Sequence, residues 1–258
     1  MTFPKALEVK VAIVARAGQS IGLAIAQGFL EAGAQVTVCG RKQEGVDAAL
    51  KSLSGHEEKL LGVAAHVGRQ EDLEQLLATA TDRFGTINVL VNNAAIRVSC
   101  GFEESFEALD QAWNDSMRVN AIAPAHLCRL ATRHWKENDV DHGIIINLSS
   151  RPAYRGDQPH YYHDGASKAA LTSLSYAIAR FCAKDGVTVF TVVPGIILTG
   201  QVEGYQSHYG LESALEEIPL KEFGEPEDIA KIVTFLASGD ARYATGSTID
   251  INGASYIH

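Results

Sequence analysis

The sequence predicts a single α/β domain with a doubly wound parallel sheet of about seven strands and helices on both faces. Short apolar runs rich in β-branched residues alternate with segments of helical spacing along all 258 residues. This alternation is typical of a buried parallel sheet. The sequence contains no Pro/Ser-rich linker, internal repeat or low-complexity tract. One domain spanning residues 1–258 is therefore expected.

The predicted elements alternate in a regular order along the chain. Strands are predicted at residues 9–15, 35–40, 60–67, 87–92, 143–149, 187–193 and 248–251. Helices are predicted at residues 18–32, 43–53, 71–84, 106–135, 167–184 and 226–237. Gly33 and Gly85 end two of these helices, and Pro124 lies inside the longest one. Right-handed crossovers between the strands give a Rossmann-type sheet, in which ligands bind beyond the carboxyl ends of the strands.

Charge and cysteine content narrow the classes of partner. The formal net charge is −9 and no Lys/Arg run stands out, so a nucleic-acid partner is not expected. The expected partner is a small-molecule substrate. The four cysteines, at positions 39, 100, 128 and 182, form no C-x-x-C pair. We expect buried thiols in a reduced, cytoplasmic protein. The first ten residues lack an apolar core and no run reaches 18 apolar residues, so neither a signal peptide nor a membrane span is predicted.

One segment departs from the alternation. Residues 200–220 have weak strand character and contain the polar aromatics Tyr205, His208 and Tyr209. They follow the carboxyl end of a predicted strand, where ligands bind in such sheets. The segment is interpreted as a substrate lid, and an ordinary pair of surface helices is the alternative.

Six short motifs identify a family. They are NNAA at residues 92–95, Asn120 within MRVN, the strand 144–150 ending in Ser150, SKAA at 167–170, Pro194-Gly195 followed by Thr199, and FGEPED at 223–228. In this order and spacing, the chain resembles the short-chain dehydrogenase/reductase (SDR) family over nearly its whole length. The resemblance implies catalytic roles for Asn120, Ser150 and Lys168. It also implies cofactor contacts from the following residues: Asn93, Ala94, Lys168, Pro194, Gly195, Ile197 and Thr199.

The phosphate loop departs from the family pattern. The family reads T-G-x-x-x-G-I-G, whereas residues 15–22 read A-R-A-G-Q-S-I-G. Gly22 is kept, Arg16 and Ser20 replace glycines, and Gly18 is an added glycine. The side chains at 16 and 20 are predicted to change the loop path or to point away from it. Either the loop, with Ile21, binds the cofactor in an altered form with Arg16 near phosphate, or cofactor binding is weakened.

The residues after the second and third strands bear on the type of cofactor. An NAD site has an acidic residue after the second strand, but here Arg41 and Lys42 follow it. Two cations at this position favour a 2′-phosphate and hence NADP(H). His66 and Val67 lie where the family usually has Asp-Val beside the adenine. The histidine puts the usual contact of the aspartate in doubt, whereas Val67 is still expected to contact the cofactor.

The second departure concerns the proton donor. The family motif is Y-x-x-x-K, and the residue four before Lys168 is Asp164. A carboxylate beside Lys168 is expected to stay ionised, which makes it a poor proton donor to a developing alkoxide. It suits a substrate that carries positive charge, since an iminium ion accepts hydride without a proton. The chemical hypothesis is NADPH-dependent reduction of a C=N centre, with Asp164, Lys168, Ser150 and Asn120 as the catalytic residues.

The missing tyrosine resembles one fungal branch of the family. In these premalbrancheamide synthase-like enzymes of prenylated indole alkaloid biosynthesis, iminium reduction is followed by an intramolecular [4+2] cycloaddition. The resemblance therefore implies a bifunctional reductase and Diels–Alderase of secondary metabolism. The second step would depend on a pocket that folds the diene against the dienophile.

Three other functions remain open. In the first, a local slip brings Tyr162 into the site in place of the missing tyrosine, which would give a carbonyl reductase. An enoyl-type reductase similar to the dienoyl-CoA reductase branch is another alternative. Asp164 as the cap of a helix beginning near Gly165 would leave a non-catalytic cofactor-binding scaffold.

Two further expectations concern metals and assembly. His160, His163 and Asp164 have possible ligand spacing, but a polar lip explains them equally well and no metal is predicted. Arg97 and Arg151 follow predicted strands, and either one would pair with Asp164, hold a substrate carbonyl or lie on the surface. The family implies a homodimer or homotetramer through the helix of Asn120 and the helix after Lys168. Those helices are apolar on more than one face.

Overall fold

A single parallel sheet organises the chain. The computed structural model describes residues 6–199 and 211–257. Within these ranges, seven parallel strands pair in the order β3-β2-β1-β4-β5-β6-β7. The strands are β1 (Val11–Val14), β2 (Gln35–Gly40), β3 (Leu60–Ala64), β4 (Val89–Asn92), β5 (Gly143–Leu148), β6 (Val187–Pro194) and β7 (Thr248–Ile251). The predicted doubly wound α/β fold is confirmed, and the switch between β1 and β4 is where such sheets bind ligands.

Helices connect the strands and cover both faces of the sheet. They are α1 (Ser20–Glu31), α2 (Gln43–Ser52), α3 (Gln70–Phe84), α4 (Phe106–Met117), α5 (Ala123–Glu137), α6 (Pro152–Arg155), α7 (Tyr162–Cys182), α8 (Leu211–Glu216) and α9 (Pro226–Ser238). The predicted lid at 200–220 lies partly outside the described residues, which include α8 but not residues 200–210. None of the helices in the described residues is long and apolar enough to cross a membrane.

Two apolar cores hold the helices against the sheet. On one face, Phe29 and Leu30 of α1 pack with Val233 and Leu236 of α9. The other core contains residues of α3, α5 and α7, including the fully buried Trp135. Both faces of the central strands are buried, which explains why their sequences are continuous apolar runs.

Helix α7 begins five residues earlier than the sequence predicts. Gly165 suggested a helix start, but the helix begins at Tyr162 and Gly165 lies in its first turn. An added Cβ at Gly165 would lie 3.0 Å from the carbonyl oxygen of Pro152, so the glycine serves the close approach of α6. Asp164 is consequently inside the helix, and the interpretation of this residue as the cap of a helix starting near Gly165 is wrong.

The long helix predicted at residues 106–135 is divided in the structure. A wide π turn, Arg118–Ile122, separates α4 from α5. Pro124 is accommodated because it falls in the first turn of α5, where a missing backbone N–H costs little. The π turn carries Asn120 and directs it towards the first turn of α7, as its hydrogen bonds below show.

Candidate active site

Two pockets adjoin the switch point. The first, called here the β2 pocket, is a cavity of about 360 Å³ lined by Arg16, Gly18, Gln19, Cys39, Gly40, Arg41, Lys42, Gly45, Ala65, His66, Val67, Ala94, Ala95, Ile96 and Val119. The second, called the β5 pocket, is a cavity of about 240 Å³ whose lining includes Asp164 and Lys168. Ala95 and Ile96 line both, so the two pockets form one continuous groove.

The predicted site residues divide between these pockets. The predicted cofactor contacts Arg16, Gly18, Arg41, Lys42, Val67 and Ala94 line the β2 pocket. The contacts Ile21, Asn93, Lys168, Pro194, Gly195, Ile197 and Thr199 line the β5 pocket together with Ser150 and Asp164. Ser20, Gly22 and Asn120 are not among the residues that line these two pockets in the described part of the chain.

The glycine-poor loop keeps a glycine-like backbone. Arg16 and Ser20 have φ angles of 56° and 53°, in the left-handed region that glycine adopts readily. The left-handed backbone argues against a changed loop path, but Arg16 does not point away, because it lines the β2 pocket. Each such residue costs about 1–2 kcal/mol, so the loop stores strain. The Arg16 guanidinium donates a hydrogen bond to the carbonyl of Ala95, which ties the loop to the chain after β4.

Gly22 is the glycine that packing requires. An added Cβ there would lie 2.5 Å from both the Arg16 carbonyl oxygen and the Asn93 Nδ2 atom. The Asn93 amide donates to that same carbonyl at 2.9 Å and to the Ala15 carbonyl at 3.2 Å. The start of α1 therefore packs directly on the end of β4. Gly18 differs, because a Cβ there would meet its nearest neighbour at an ordinary 3.4 Å.

The lining of the β2 pocket combines cationic and apolar side chains. Arg41 and Lys42 line it, and no carboxylate is among the described residues of its lining. Cys39 is buried there, and burial raises the pKa of its thiol to about 11, so it remains a neutral wall. Ala65 and Val67 continue the apolar surface beside His66. This lining suits a nucleotide whose phosphate lies near Arg41 and Lys42.

Helix α7 brings the predicted catalytic pair together. Asp164 and Lys168 are four residues apart on one helix, which places their side chains on the same face. The Asn120 amide nitrogen lies 2.9 Å from Asp164 Oδ1 and 2.9 Å from Ser167 Oγ. The Asn120 oxygen accepts a hydrogen bond from the Ile96 amide at 2.9 Å, which fixes the orientation of the side chain. Asp164 is therefore held by a positioned donor at the edge of the β5 pocket.

Burial changes the titration of both charged groups. Burial lowers the pKa of Lys168 to about 8, against the opposing effect of the Asp164 charge. Its ammonium group donates to the carbonyl oxygen of Leu148 at 2.7 Å. Burial likewise raises the pKa of Asp164, and the nearby Lys168 charge offsets only part of that rise. The spacing of Asp164 and Lys168 predicted the effect of the Lys168 charge but not that of burial, which raises the pKa of Asp164. The N–H donor of Asn120 favours the ionised carboxylate.

The two serines after β5 have different roles. Ser149 is buried, and its hydroxyl lies 3.1 Å from the Lys168 carbonyl and 2.9 Å from Thr172 Oγ1. Both Ser149 and Ser150 line the β5 pocket. Successive residues at the end of a strand point to opposite sides, so Ser149 supports α7 and Ser150 is available to a ligand.

The tyrosines before Asp164 are engaged outside the β5 pocket. Tyr162 stacks on Phe102 with ring centroids 4.4 Å apart, and the Arg97 guanidinium lies 3.7 Å from the centroid of Tyr161. No tyrosine is among the described residues that line the pocket. His163 is buried, with Nε2 2.9 Å from the Val98 carbonyl. The described residues contain no group of three His, Cys, Asp or Glu side chains arranged for a metal.

Both arginines considered as partners of Asp164 pair with other acids. Arg97 lies 3.0 Å from Asp157, and Arg151 lies 3.1 Å from Glu217. Arg155 also reaches Glu217, at 3.4 Å, so the residue after α8 is bound to the α6 region. Arg155, Asp157 and Glu217 were not predicted from the sequence. For Arg155 and Asp157 the one available signal was their position shortly after the strand that leads to Ser150.

The sheet order and the groove at its switch point define the class of Rossmann dinucleotide-binding domains. A family model described as Enoyl-(Acyl carrier protein) reductase matches residues 15–254. The human protein named Dehydrogenase/reductase SDR family member 4 is 34% identical over 256 residues, covering 99% of this chain and 90% of the relative. The Caenorhabditis elegans protein of the same name is 36% identical over 251 residues and covers 95% of both chains.

Solved structures agree with the sequence relatives. A short-chain dehydrogenase/reductase from Brucella melitensis, described as a glucose/ribitol dehydrogenase, has a TM-score of 0.89 at 31% identity. The match covers 99% of this chain and 100% of that one. The chain therefore belongs to the short-chain dehydrogenase/reductase family. Its relatives are oxidoreductases, and the family uses nicotinamide cofactors.

Proposed function

We propose that the protein is an NADPH-dependent reductase of a cationic C=N centre. The observation that carries the proposal is the buried Asp164 carboxylate at the edge of the β5 pocket, where the family motif has a tyrosine. Asn120 holds this carboxylate, and Lys168 lies one helical turn away. A fixed negative charge in a low-dielectric site stabilises a cation more strongly than it would in water.

The residues of the groove fit a phosphorylated dinucleotide. The left-handed backbone at Arg16 and Ser20 preserves a loop that presents its amides at the start of α1. Arg41 and Lys42 line the β2 pocket without a carboxylate among its described residues, which supports NADP(H) over NAD(H). Bound NADPH would supply a hydride to the β5 pocket. Ser150 and Lys168 would orient the substrate in the β5 pocket.

The charge of Asp164 selects the electrophile. When hydride adds to an iminium carbon, the π electrons move to nitrogen and a neutral amine results without any proton transfer. A ketone instead develops negative oxygen, which Asp164 repels and the family tyrosine would protonate. The ionised carboxylate therefore stabilises the cationic substrate and its partly cationic transition state relative to the free species, which raises kcat/KM for the iminium, and it raises the barrier for the ketone.

The test compares one permanently cationic substrate with one ketone. NADPH oxidation is measured with N-methyl-3,4-dihydroisoquinolinium and with a cyclohexanone, in wild type, Asp164→Asn and the control Asp47→Asn on exposed α2. We expect Asp164→Asn to lower kcat/KM for the iminium about 10²–10³-fold while NADPH affinity changes little. Asp47→Asn should match wild type. Preference of the wild type for the ketone, or full iminium activity in Asp164→Asn, would refute the proposal.

Carbonyl or enoyl reduction is the second candidate function. The names of the relatives are consistent with it, and the lowered pKa of Lys168, about 8, makes its ammonium a proton donor near neutral pH. In this case ketone turnover would survive Asp164→Asn and be lost in Lys168→Met. Loss in Tyr162→Phe would instead identify Tyr162 as the donor. A non-catalytic scaffold would bind NADPH without consuming it on any substrate.

A cycloaddition after reduction remains a prediction from the fungal resemblance. Chiral product analysis with a tethered diene and dienophile tests it, because a racemic product would contradict catalysis of the second step. We also propose a homodimer or homotetramer through α4, α5 and α7. Trp113, Tyr176 and Phe181 are exposed on these helices. A monomer in light scattering would contradict the assembly.

A further inference from the structure

His66 contributes an imidazole ring to the lining of the β2 pocket. Ala65, Val67 and Val119 line the same pocket, and its cations are Arg16, Arg41 and Lys42. Apolar walls suit the flat faces of a heterocyclic base, and the cations suit phosphate. His66 is then the side chain in position to bind the polar edge of the base.

The tautomer of His66 follows from its contact with the backbone. The Gly68 amide donates a hydrogen bond to His66 Nδ1 at 3.1 Å. A backbone N–H can only donate, so Nδ1 must offer a lone pair. A neutral imidazole carries its single hydrogen on the other nitrogen, so Nε2 is a donor. The ring therefore presents N–H, not a lone pair, to a ligand.

The turn around His66 holds the ring in this state. The His66 amide donates to Asp72 Oδ2 at 2.7 Å, and the Arg69 amide donates to the His66 carbonyl at 2.8 Å. A Cβ added at Gly68 would lie 3.0 Å from His66 Cε1 and 3.2 Å from Nδ1, so the ring packs closely over this glycine. The Asp72 carboxylate therefore accepts from the His66 backbone amide, and the His66 imidazole is left to line the pocket.

We propose that His66 binds the base of the dinucleotide as a hydrogen-bond donor, so that the pocket accepts a 6-oxopurine at least as well as a 6-aminopurine. A 6-amino group presents hydrogens and would oppose the Nε2–H donor. The O6 atom of hypoxanthine accepts from it, whereas on the same edge of a 6-aminopurine only the ring nitrogen N1, next to the amino group, can accept. This specificity rests on the proposed use of NADP(H) by the same groove.

The experiment measures binding and needs no substrate. Dissociation constants of NADPH and of its hypoxanthine analogue are measured by nicotinamide fluorescence in wild type, His66→Asp and His66→Asn. We expect wild type to bind the hypoxanthine form equally or up to about tenfold more tightly. His66→Asp offers only acceptors and should reverse the preference. His66→Asn, whose amide offers both groups, should discriminate little and controls for loss of the ring.

A second measurement tests the tautomer without any ligand. Long-range ¹H–¹⁵N correlation spectra of the free protein at neutral pH distinguish Nε2–H from Nδ1–H for the signal that His66→Asn removes. An Nδ1–H signal would overturn the proposal, as would a wild-type preference for adenine. Binding of neither dinucleotide would overturn the cofactor assignment as well. A preference for adenine with tight NADPH binding would overturn the role of His66 alone.

Discussion

The glycine loop and the first turn of α7 both depart from the family pattern, but with opposite physical consequences. In the loop, Arg16 and Ser20 adopt the left-handed conformation that suits glycine, so the backbone is strained while its path is retained. In α7, Asp164 occupies an ordinary helical position, so nothing is strained and the charge in the pocket changes. Where backbone amides bind a ligand, substitution costs stability. Where a side chain reacts, substitution changes the chemistry.

The largest effect on stability is expected at the contact between α1 and β4. Gly22→Ala would place a methyl group 2.5 Å from the Arg16 carbonyl oxygen, which the Asn93 amide holds in place. We expect a loss of about 2–3 kcal/mol in the free energy of unfolding. Urea denaturation of Gly22→Ala and of the control Gly18→Ala measures this. The control should stay within about 0.5 kcal/mol, and equal losses in both variants would contradict the packing argument.

A smaller effect is expected in the titration of Lys168. Its pKa is lowered to about 8 by burial, and the Asp164 charge holds it up. Removing that charge in Asp164→Asn should lower the Lys168 pKa further, while Asp47→Asn should leave it unchanged. Lysine ¹³Cε shifts followed from pH 6 to 11 measure it, with Lys168→Met assigning the signal. A rise in Asp164→Asn would show that the two charges do not interact as described.

The smallest effect is expected from relief of strain in the loop. Ser20→Gly removes a side chain from a residue at φ 53°, and it also increases the entropy of the unfolded chain. We expect a net gain of about 0.5 kcal/mol in the free energy of unfolding. Ser105→Gly is the matched control, because Ser105 has φ −65° and its side chain accepts from the Ala108 amide. It should lose a few tenths of a kcal/mol.

The order of the strands and helices could be predicted from the sequence, but the start of α7 could not. Periodicity gave the order of strands and helices because both faces of the sheet are buried along β1, β4 and β5. It predicted the start of α7 too late, because Gly165 is required by the close approach of the Pro152 carbonyl and does not mark a helix end. Pro152 lies outside α7, so the residue pattern of the helix itself does not reveal this contact.

The candidate site divides in the same way. Motif spacing predicted that Asn120, Ser150 and Lys168 belong to one site. The structure places Ser150 and Lys168 at the β5 pocket and Asn120 within hydrogen-bond distance of Asp164. The partners of the arginines were not found, since the contact between Arg97 and Asp157 joins residues 60 positions apart. Burial of Asp164 was also invisible, because desolvation depends on what packs around a group and not on its neighbours in the chain.

The π turn Arg118–Ile122 has a consequence for how this region tolerates change. One added or lost residue rotates the remainder of an α-helix by about 100°. Asn120 lies within the turn, and beyond it Leu127, Ala131 and Trp135 of α5 face the core. A deletion that restored a regular helix would rotate either the Asn120 amide away from Asp164 or the apolar side chains of α5 away from the core. The helical phase of α5 and the hydrogen bond from Asn120 to Asp164 therefore both depend on this turn.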